Sequence, residues 1–567
     1  MTISKSAEDS PKPAASPAAD KPSETQAAEP KADAPPKPLA NLVIDFDGIS
    51  NRVARVPLAA DNYGNLSAKT GHLLYAVSGA PYYGRQGDRT TSLRIYSIKD
   101  RKETTLVEDM RGYTLSEDGS KVLVFQGPGA NLYDATPQGE RSRKAVSVAG
   151  LYVDRVPAEE WNQIFNEVWR RYRDWFYVAN MHGFDWVGLR EQYKPLLKYV
   201  AHRSDLNYVI QEMIAELTIQ HAYIDGGDFN IPPRPRSGLP GARFELDQQA
   251  GRYRISAIFA GENEEDIYRS PLTEVGVNAS VGDYVLAIDG NELKANDDPY
   301  RLLRNKADNP VSLTLNKTPT MQGARTVSYR PITDESNLLY LSWTNGNRER
   351  VAKATNGRVG YLHVPDMGAA GIREFIKWYY PQLQKEALIV DVRANGGGNV
   401  SRMLIERLRR KVLALNYSRT NDEASTYPDG TFIGPMVALL DGNSASDGDI
   451  FPAMFREAGL GPLIGKRSWG GVVGISNHGQ LIDGGTVNVP ESGFASKNGE
   501  WIIEGYGVDP DIEVDNDPQS LMQGKDMQLE RAIAELMSKL KNPVKLPGKP
   551  APPVKTINSN ATSKTNK

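Results

Sequence analysis

The hydrophobic pattern of this chain changes three times along its length, and no single fold accommodates all of those changes. Short β-type runs occupy residues 41–148, and a helical periodicity begins near residue 158. β-type runs return over residues 238–330, and strands alternate with helices from about residue 356. The length of 567 residues also predicts about four domains, at roughly 150 residues each. The sequence therefore predicts a multidomain protein.

The composition excludes several classes of function. There is no cysteine, which excludes disulfides, thiol catalysis and thiolate-ligated zinc or iron–sulfur sites. None of the six histidines has another four residues away, the spacing of a helical zinc site, so we expect no metal and no cofactor. The 67 basic and 70 acidic residues nearly balance, and no apolar run is long enough to span a membrane. We therefore expect neither nucleic acid nor membrane partners.

The two ends of the chain differ in composition from the rest. Residues 1–40 consist mainly of Ala, Pro, Lys, Ser and Glu, and residues 542–567 are rich in Pro, Lys and Asn. Segments with so few large apolar side chains cannot offset the entropy cost of ordering, so both are predicted to be disordered. Residues 1–40 also lack the apolar stretch of a secretory signal, so none is expected there.

Residues 41–150 contain short β-type runs separated by turn signals such as Asn-Tyr-Gly and Glu-Asp-Gly-Ser. The runs include residues 53–57, 73–77, 93–97 and 121–125. The phrases GHLLYAVSG and YTLSEDGSKVLVFQG resemble the strands of β-propeller blades. Two or so blades are present, whereas a closed propeller has about four to eight. We therefore expect a partial β-propeller.

Residues 151–236 are predicted to form a helical domain. Apolar residues, many of them aromatic, fall on one face of a first helix beginning near residue 158, and a second amphipathic stretch follows. We expect this apolar face to pack against the core of the domain. A third helix is predicted to begin after Ser204, as its N-cap, and to end at Gln220 and His221, ahead of a Gly-Gly break.

Residues 237–332 are predicted to return to β structure. The segment SPLTEVGVNASVGDYVLAIDGNEL combines a short apolar helix signal, a buried strand and an Asp-Gly turn. It closely resembles PDZ domains, in which the C-terminus of a peptide adds as a strand and its carboxylate docks on backbone N–H groups. By this resemblance, SGLPGARFE at residues 237–245 is the carboxylate-binding loop.

Residues 333–541 are predicted to form an α/β domain whose loops gather at strand ends. The first of three notable loops is DVRANGGG, residues 391–398. Consecutive glycines between a strand and a helix let backbone N–H groups approach an anion. Taken alone, the motif is equally compatible with a phosphate loop or a packing turn. It is not a Walker motif, because no Gly-Lys-Ser/Thr follows.

The other two loops carry a serine and a glutamate. The motif DGNSASDGD at residues 441–449 lies between an apolar strand and a helix. A serine there is exposed and its alkoxide is favoured by the helix N-terminus, with a helix-capping serine as the alternative. The stretch EWIIEGYGVDPDIEV at residues 500–514 presents Glu504 beside a Gly-Tyr-Gly turn. A solvated loop glutamate is the alternative interpretation of that residue.

The three motifs, in this order behind a PDZ-like module, resemble the tricorn-type serine peptidases, which are related to the tail-specific, C-terminal-processing peptidases. The helical stretch EEWNQIFNEVWRRYRDWFYVANMHGFDW favours the tricorn branch. The resemblance covers roughly residues 41–540. It implies a fold class of partial β-propeller, helical domain, PDZ-like β domain and α/β catalytic domain.

The resemblance also implies roles for individual residues. Ser446, the second serine of Ser-Ala-Ser, is the nucleophile, and His221 is its base. Glu504 orients the imidazole. The backbone N–H groups of Gly397 and Asp447 form the oxyanion hole, with a neighbouring glycine as the alternative to Gly397.

Two departures from the related patterns concern the base. The tricorn pattern has a serine immediately before the histidine, whereas this chain has Gln220, whose amide we expect to support the catalytic network. Tail-specific enzymes use a lysine in a Gly-Lys-Gly, whereas this chain has Trp-Gly-Gly at residues 469–471. Lys466 is therefore expected at the surface, and His478 is the remaining rival base.

The function implied is hydrolysis of peptides or unfolded polypeptides, including products of larger proteases. The resemblance further implies a homo-oligomer, with a hexamer as the family pattern, and a cytoplasmic location. A periplasmic location is the alternative if the chain is a fragment of an exported protein. Two other functions remain open: a catalytically impaired PDZ-containing scaffold that binds peptides, and a C-terminal-processing peptidase with a different base.

Overall fold

A computed structural model describes residues 45–80, 87, 89–229, 231–232, 234–421 and 423–554. The predicted disordered segment at residues 1–40 lies outside the described residues, as do residues 555–567 of the C-terminal one. The chain divides into two compact units, Met1–Ala60 and Asp61–Lys567. No helix in the described ranges is both long and apolar enough to cross a membrane.

The described part of the first unit contains one short 3₁₀ turn, Ile49–Arg52. The strand predicted at residues 53–57 is wrong: these residues pair with no other strand in the described part of the chain. Val53 is 83% exposed. A run of β-type residues without a partner leaves its backbone N–H and C=O groups to water, so composition alone does not make it a strand.

The second unit begins with two four-stranded antiparallel sheets in chain order. They contain β1 (Asn62–Lys69), β2 (His72–Ser78), β3 (Ser92–Ser97) and β4 (Lys102–Val107), then β5 (Gly112–Leu115), β6 (Lys121–Gln126), β7 (Gly129–Asp134) and β8 (Lys144–Val146). Apolar side chains from both sheets form one core. The sheets are consistent with pieces of a propeller, and within the described residues no closed propeller forms.

Three helices follow: α1 (Pro157–Trp175), α2 (Trp186–Tyr193) and α3 (Arg203–Ala215). The apolar face predicted for α1 is buried against α3. The predicted limits of the third helix are wrong, because His202 rather than Ser204 is its N-cap and it ends at Ala215. Three residues after the helix, the backbone changes direction at Thr218, whose φ is +49°. His221 therefore lies in the connection to a short strand, β9 (Tyr223–Asp225).

A small antiparallel β domain comes next. It comprises β10 (Ala242–Asp247), β11 (Arg252–Ile258), β12 (Tyr284–Ile288), β13 (Asn291–Glu292), α4 (Pro299–Leu302), β14 (Val311–Asn316) and β15 (Arg325–Tyr329). The main strands lie in the order β10-β11-β12-β14-β15, with β13 paired to β12. β10 is therefore an edge strand of this sheet. Alternating apolar residues of β14 enter the core, which is the expected pattern of a sheet with one buried face.

The rest of the chain is an α/β domain. Its elements are α5 (Ser336–Thr355), β16 (Val359–His363), α6 (Ala369–Tyr379), β17 (Ala387–Asp391), α7 (Ser401–Leu408), β18 (Ala414–Asn416), β19 (Ser425–Tyr427), β20 (Met436–Leu440), α8 (Asp447–Glu457), β21 (Leu463–Gly465), β22 (Gly474–Asn477), β23 (Thr486–Ser492), β24 (Ile512–Glu513), α9 (Pro518–Met522) and α10 (Met527–Lys539). Strands β16-β17-β20-β21-β24 form a parallel sheet. Helices α6, α7 and α8 cover one face of it, and α5 and α10 cover the other.

The helical region and the α/β region share a core. Strand β9 pairs with β23, which joins β22 in a three-stranded sheet. Apolar residues of α1 and α3 pack on Val473, Val487 and Val489. Arg203 of α3 forms a buried ion pair with Asp483, in which both side chains are 2% exposed. These contacts hold the segment before β9, which carries His221, against the α/β domain.

Candidate active site

The turn between β20 and α8 presents Ser446 with an unusual backbone geometry. Its φ is 58° and its ψ is −123°, a conformation that residues other than glycine rarely adopt. Ser446 occupies the N-cap position of α8, yet its side chain makes no capping hydrogen bond. The helix-capping alternative is therefore excluded, and the hydroxyl is free of partners among the described residues.

The glycine loop after β17 passes beside Ser446. A Cβ added to Gly397, whose φ is +95°, would lie 2.5 Å from Ser446 Cβ and 3.0 Å from the Asp447 nitrogen. No side chain fits there, which accounts for the glycine. The Gly397 N–H donates to Asn395 Oδ1 at 2.9 Å. The N–H groups of Asp447 and of Gly398, which lines the cleft, have no acceptor in the described part of the chain.

His221 reaches the same place from the connection before β9. Its Nδ1 lies 2.7 Å from the carbonyl oxygen of Val473. Because a carbonyl can only accept, Nδ1 carries a proton, and in the neutral imidazole Nε2 is then the unprotonated nitrogen. Tyr223 and Trp469 meet the ring edge-on, with centroid distances of 5.7 Å and 6.0 Å. These contacts orient the imidazole and leave its basic nitrogen available.

Glu504 lies behind His221 rather than against its ring. Its Oε2 accepts from the N–H groups of Val472 and Val473 at 2.6 Å and 3.1 Å, and its Oε1 from the Gln220 N–H at 3.4 Å. The carboxylate thus joins two backbone segments, the one that carries His221 and the one that provides the Val473 carbonyl. The direct contact expected between Glu504 and the imidazole is absent from the described hydrogen bonds, because the Val473 carbonyl takes the Nδ1 proton.

Tightly packed loops hold Glu504 in place. A Cβ at Gly470 would lie 2.6 Å from the Gly507 nitrogen, so these two loops touch through their backbones. The Gly505 N–H donates to the Gly470 carbonyl at 2.7 Å. Ile503, immediately before the glutamate, has φ +75°, which is a strained conformation for a β-branched residue. Strained backbone conformations therefore occur both at Ser446 and next to Glu504.

Ser446 and His221 line one cleft of about 980 Å³. One wall comes from α7 and α8 through Ile405, Ile450 and Met454, and residues 472–475 form another. Among the described residues no hydrogen bond joins Ser446 Oγ to the imidazole. Such contacts are commonly long in the absence of substrate and tighten when it binds, so the missing bond is compatible with a catalytic pair.

The other candidates lie outside the cleft lining. The Gln220 side chain is exposed, and in the described structure it makes no hydrogen bond. Lys466 pairs with Glu513 at the surface, at 2.7 Å. His478 stacks on Trp175 at a centroid distance of 4.4 Å. No group of three or more His, Asp or Glu side chains in the described ranges converges as metal ligands would.

The domain families that match the chain follow the order seen in the structure. "Tricorn protease C1 domain" matches residues 157–215, "Tricorn protease PDZ domain" matches residues 238–334, and "Peptidase family S41" matches residues 358–514. The chain belongs to the tricorn protease family. The sequence-based resemblance to the tricorn branch is thereby confirmed, including its PDZ domain.

Individual tricorn relatives agree over most of the chain. Tricorn protease homolog 1 of Streptomyces coelicolor is 34% identical over 520 residues, covering 89% of this chain and 48% of that protein. The tricorn protease of Thermoplasma volcanium is 32% identical over 486 residues, covering 85% and 46%. A crystal structure of the tricorn protease matches with a TM-score of 0.76 and 31% identity, covering 85% and 47%. The chain therefore spans about half the length of these tricorn relatives.

Several residues that shape this tricorn site escaped sequence reasoning. Asn395 Nδ2 donates to the Val364 carbonyl at 2.8 Å, and the Asn395 carbonyl accepts from the Ala445 N–H at 2.8 Å. Ser444 Oγ donates to the Val392 carbonyl at 2.8 Å. The bonds from Ala445 and Ser444 join the serine loop to the strand end and loop after β17, and the bond to Val364 fixes that loop to the end of β16. The sequence could have pointed to Asn395 and Ser444 only because they lie inside the glycine-loop and serine-loop motifs.

Asp449 is a further residue that sequence reasoning missed. It is buried in the first turn of α8, and its Oδ1 accepts from the Gly470 N–H at 2.8 Å. Its Oδ2 has no partner in the described structure. Burial raises the pKa of Asp449 from its ordinary value of 3.8 to about 6. The carboxyl ties the serine helix to the loop that carries Trp469.

Replacing Asp449 with asparagine should change how stability depends on pH. Between pH 3.8 and about 6 the unfolded chain ionises this carboxyl while the folded chain keeps it protonated. The proton therefore stabilises the folded state at low pH, and that contribution is lost as the pH rises through about 6. Asparagine carries no such proton. The free energy of unfolding, measured with urea, should therefore fall between pH 4 and pH 8 by up to about 3 kcal/mol more in the parent than in Asp449→Asn. Parallel pH profiles of the two proteins would contradict this.

Replacing Glu504 with glutamine should slow turnover without unfolding the protein. Hydrogen bonds to a charged group contribute about 1.5–3 kcal/mol, which corresponds to roughly 10- to 150-fold in rate. We expect kcat to fall by about that factor with KM little changed, because glutamine is isosteric with glutamate and residue 504 does not itself line the cleft. Glu500→Gln, an exposed glutamate nearby in sequence, is the control. Equal kcat values for the two variants would show that Glu504 plays no part.

Proposed function

We propose that this chain is a tricorn-type serine peptidase that hydrolyses peptide bonds in peptides or unfolded polypeptides. The observation that carries the proposal is the pairing within one cleft of an unbonded serine hydroxyl and an imidazole with a free Nε2. The hydroxyl belongs to Ser446 on a strained strand-to-helix turn, and the imidazole belongs to His221. A serine needs such a base to become a nucleophile at neutral pH.

In the acylation step, Ser446 Oγ attacks the scissile carbonyl carbon and its proton passes to His221 Nε2. The carbonyl oxygen becomes an oxyanion, for which the N–H groups of Asp447 and Gly398 are the proposed donors. We prefer Gly398 to Gly397, because the Gly397 N–H already donates to Asn395. Each donor of this kind contributes about 100- to 1000-fold in rate.

The tetrahedral intermediate collapses when the imidazolium protonates the leaving amine. An acyl-enzyme on Ser446 remains, and a water deprotonated by His221 then attacks it, releasing the acid and restoring the serine. The Val473 carbonyl keeps its hydrogen bond to Nδ1 throughout and stabilises the positive ring. Glu504 is a positioning residue in this scheme, since it accepts from the Val472 and Val473 N–H groups and so fixes the backbone that presents the Val473 carbonyl.

A fluorophosphonate probe tests the proposal directly. The probe should label the folded protein once, and the modified peptide should contain Ser446, because only an activated serine is phosphonylated. Heat-unfolded protein is the control and should not react. A folded protein that takes up no label would overturn the peptidase proposal and favour the scaffold function. Labelling at Ser446 that survives loss of His221 would favour a peptidase with a different base.

We further propose that the protein assembles as a homo-oligomer, with a hexamer as the arrangement, and that it acts in the cytoplasm on peptides released by larger proteases. This rests on membership of the tricorn family. Native mass spectrometry of the full chain should give a mass six times that of the protomer, and a monomer at micromolar concentration would contradict it.

A further inference from the structure

Residues 238–241 belong to the carboxylate-binding loop expected at residues 237–245 of the PDZ domain, and each N–H group of these four residues already has a partner. The Gly238 N–H donates to the Leu303 carbonyl at 2.8 Å, and the Leu239 N–H to the Ile332 carbonyl at 2.7 Å. Pro240 has no N–H. The Gly241 N–H donates to Oε1 of Glu335 at 2.8 Å. The loop therefore holds a carboxylate, and that carboxylate belongs to the chain itself.

The surroundings of Glu335 are those of a carboxylate receptor. Its Oε2 accepts from Arg243 Nη1 at 2.5 Å, so one oxygen meets a backbone N–H and the other meets a guanidinium. The Glu335 side chain is 6% exposed, whereas Arg243 is 42% exposed and reachable from solvent. A buried carboxylate is tolerated only when paired in this way. Backbone N–H plus Arg is also the chemistry that captures the C-terminus of a peptide.

The rest of a peptide groove lies beside this contact. Strand β10 follows the loop directly, and in the described sheet its outer edge has no neighbouring strand. Phe244 on β10 stacks on Tyr300 of α4 with a centroid distance of 6.2 Å, and both rings are partly exposed. An added strand would find backbone groups on β10 and apolar side chains next to the loop.

We propose that Glu335 is a built-in ligand of the PDZ carboxylate loop, with which the free C-terminal carboxylate of a peptide competes for Gly241 and Arg243. Glu335 immediately precedes α5, the first helix of the α/β domain. Its release frees the loop for a peptide, and its return closes the loop and ties the PDZ domain to α5. The PDZ domain is thus latched by its own chain. This inference is independent of the proposed peptidase activity.

The test measures binding to full-length protein carrying Ser446→Ala, so that the probe is not cleaved. The probe is a fluorescein-labelled peptide with an apolar last residue and a free C-terminal carboxylate, followed by fluorescence anisotropy. Adding Glu335→Ala should strengthen its binding at least about tenfold, or ~1.4 kcal/mol, because the competing carboxylate is gone. The same peptide with an amidated C-terminus should show no gain. Arg243→Ala added to Glu335→Ala should remove the gain.

Asp334→Ala is the matched control, because this neighbouring carboxylate accepts from Ser336 and makes no hydrogen bond to the loop among the described contacts. It should leave peptide binding unchanged. If Glu335→Ala does not fold, Glu335→Gln keeps an acceptor for Gly241 but removes the charge facing Arg243, and binding of the free acid should still increase. A folded Glu335 variant with no gain, or with an equal gain for the amidated peptide, would overturn the proposal.

Discussion

Ser446→Ala should abolish peptide hydrolysis while leaving the fold intact. Loss of a catalytic serine in such a constellation lowers kcat by about 10⁴- to 10⁶-fold, and the remainder comes from binding and the oxyanion donors. The residue makes no side-chain capping hydrogen bond, so removing its hydroxyl costs no contact within the described structure. The measurement is kcat/KM on an internally quenched fluorogenic peptide, with circular dichroism to confirm folding.

Ser444→Ala is the matched control, because it removes a hydroxyl two residues away. That hydroxyl donates to the Val392 carbonyl, so its loss should lower stability by about 1 kcal/mol. Fluorophosphonate labelling of Ser446 should persist in this variant. Turnover in Ser446→Ala comparable with that of the parent would exclude the proposed nucleophile.

The same position also carries a stability prediction. A residue other than glycine at φ 58° and ψ −123° pays a backbone strain of about 1–3 kcal/mol. Glycine adopts this conformation freely, so Ser446→Gly should be inactive like the alanine variant but more stable than it by about 1 kcal/mol. Comparison of the two thermal unfolding midpoints measures this difference, and an equal or lower midpoint for the glycine variant would contradict the strain.

His221→Ala should produce the second large loss, about 10⁴-fold in kcat, because no other imidazole lines the cleft among the described residues. Free imidazole added to His221→Gly should restore part of the activity, since the cavity left by the ring lies against the Val473 carbonyl that would orient it. Rescue by imidazole distinguishes a lost proton acceptor from a damaged structure. The measurement is the initial hydrolysis rate against imidazole concentration.

Two control variants address the rival bases. Lys466→Ala and His478→Ala should both retain normal turnover, because Lys466 pairs with Glu513 at the surface and His478 stacks on Trp175. Undiminished hydrolysis by His221→Ala would contradict the assigned base. A strong loss in Lys466→Ala or His478→Ala would then identify its replacement.

The elements with a clear local pattern could be predicted from the sequence. The apolar runs ALIVD and MVALL became β17 and β20, because strands buried on both faces read as continuous apolar segments. Helix α5, by contrast, was not predicted. Thr344, Asn347 and Thr355 are on its buried side, so its apolar period is weak and its helical state depends on packing against the sheet.

The site divides in the same way. Ser446 and Glu504 lie in motifs that could be recognised, and His221 was predicted as the base through the family resemblance. The sequence suggested Gly397 as an oxyanion donor, but its N–H donates to Asn395 in the structure, so the proposed donor is the neighbouring Gly398. A hydrogen bond between neighbouring loop residues produces no hydrophobic periodicity, so it could not be predicted from the sequence pattern.

By itself, the sequence determined the family and narrowed the candidate chemistry: one serine motif, few histidines, no thiol, and a domain order typical of the tricorn family. Only the tertiary structure decided how these groups are supported. His221 is oriented by the carbonyl of Val473, which is 252 residues away, and Glu504 accepts from an N–H 284 residues away. Glu335 fills the PDZ loop from 94 residues beyond Gly241. Contacts at such separations depend on backbone atoms and sheet pairing, and a backbone carbonyl is the same at every position of the chain.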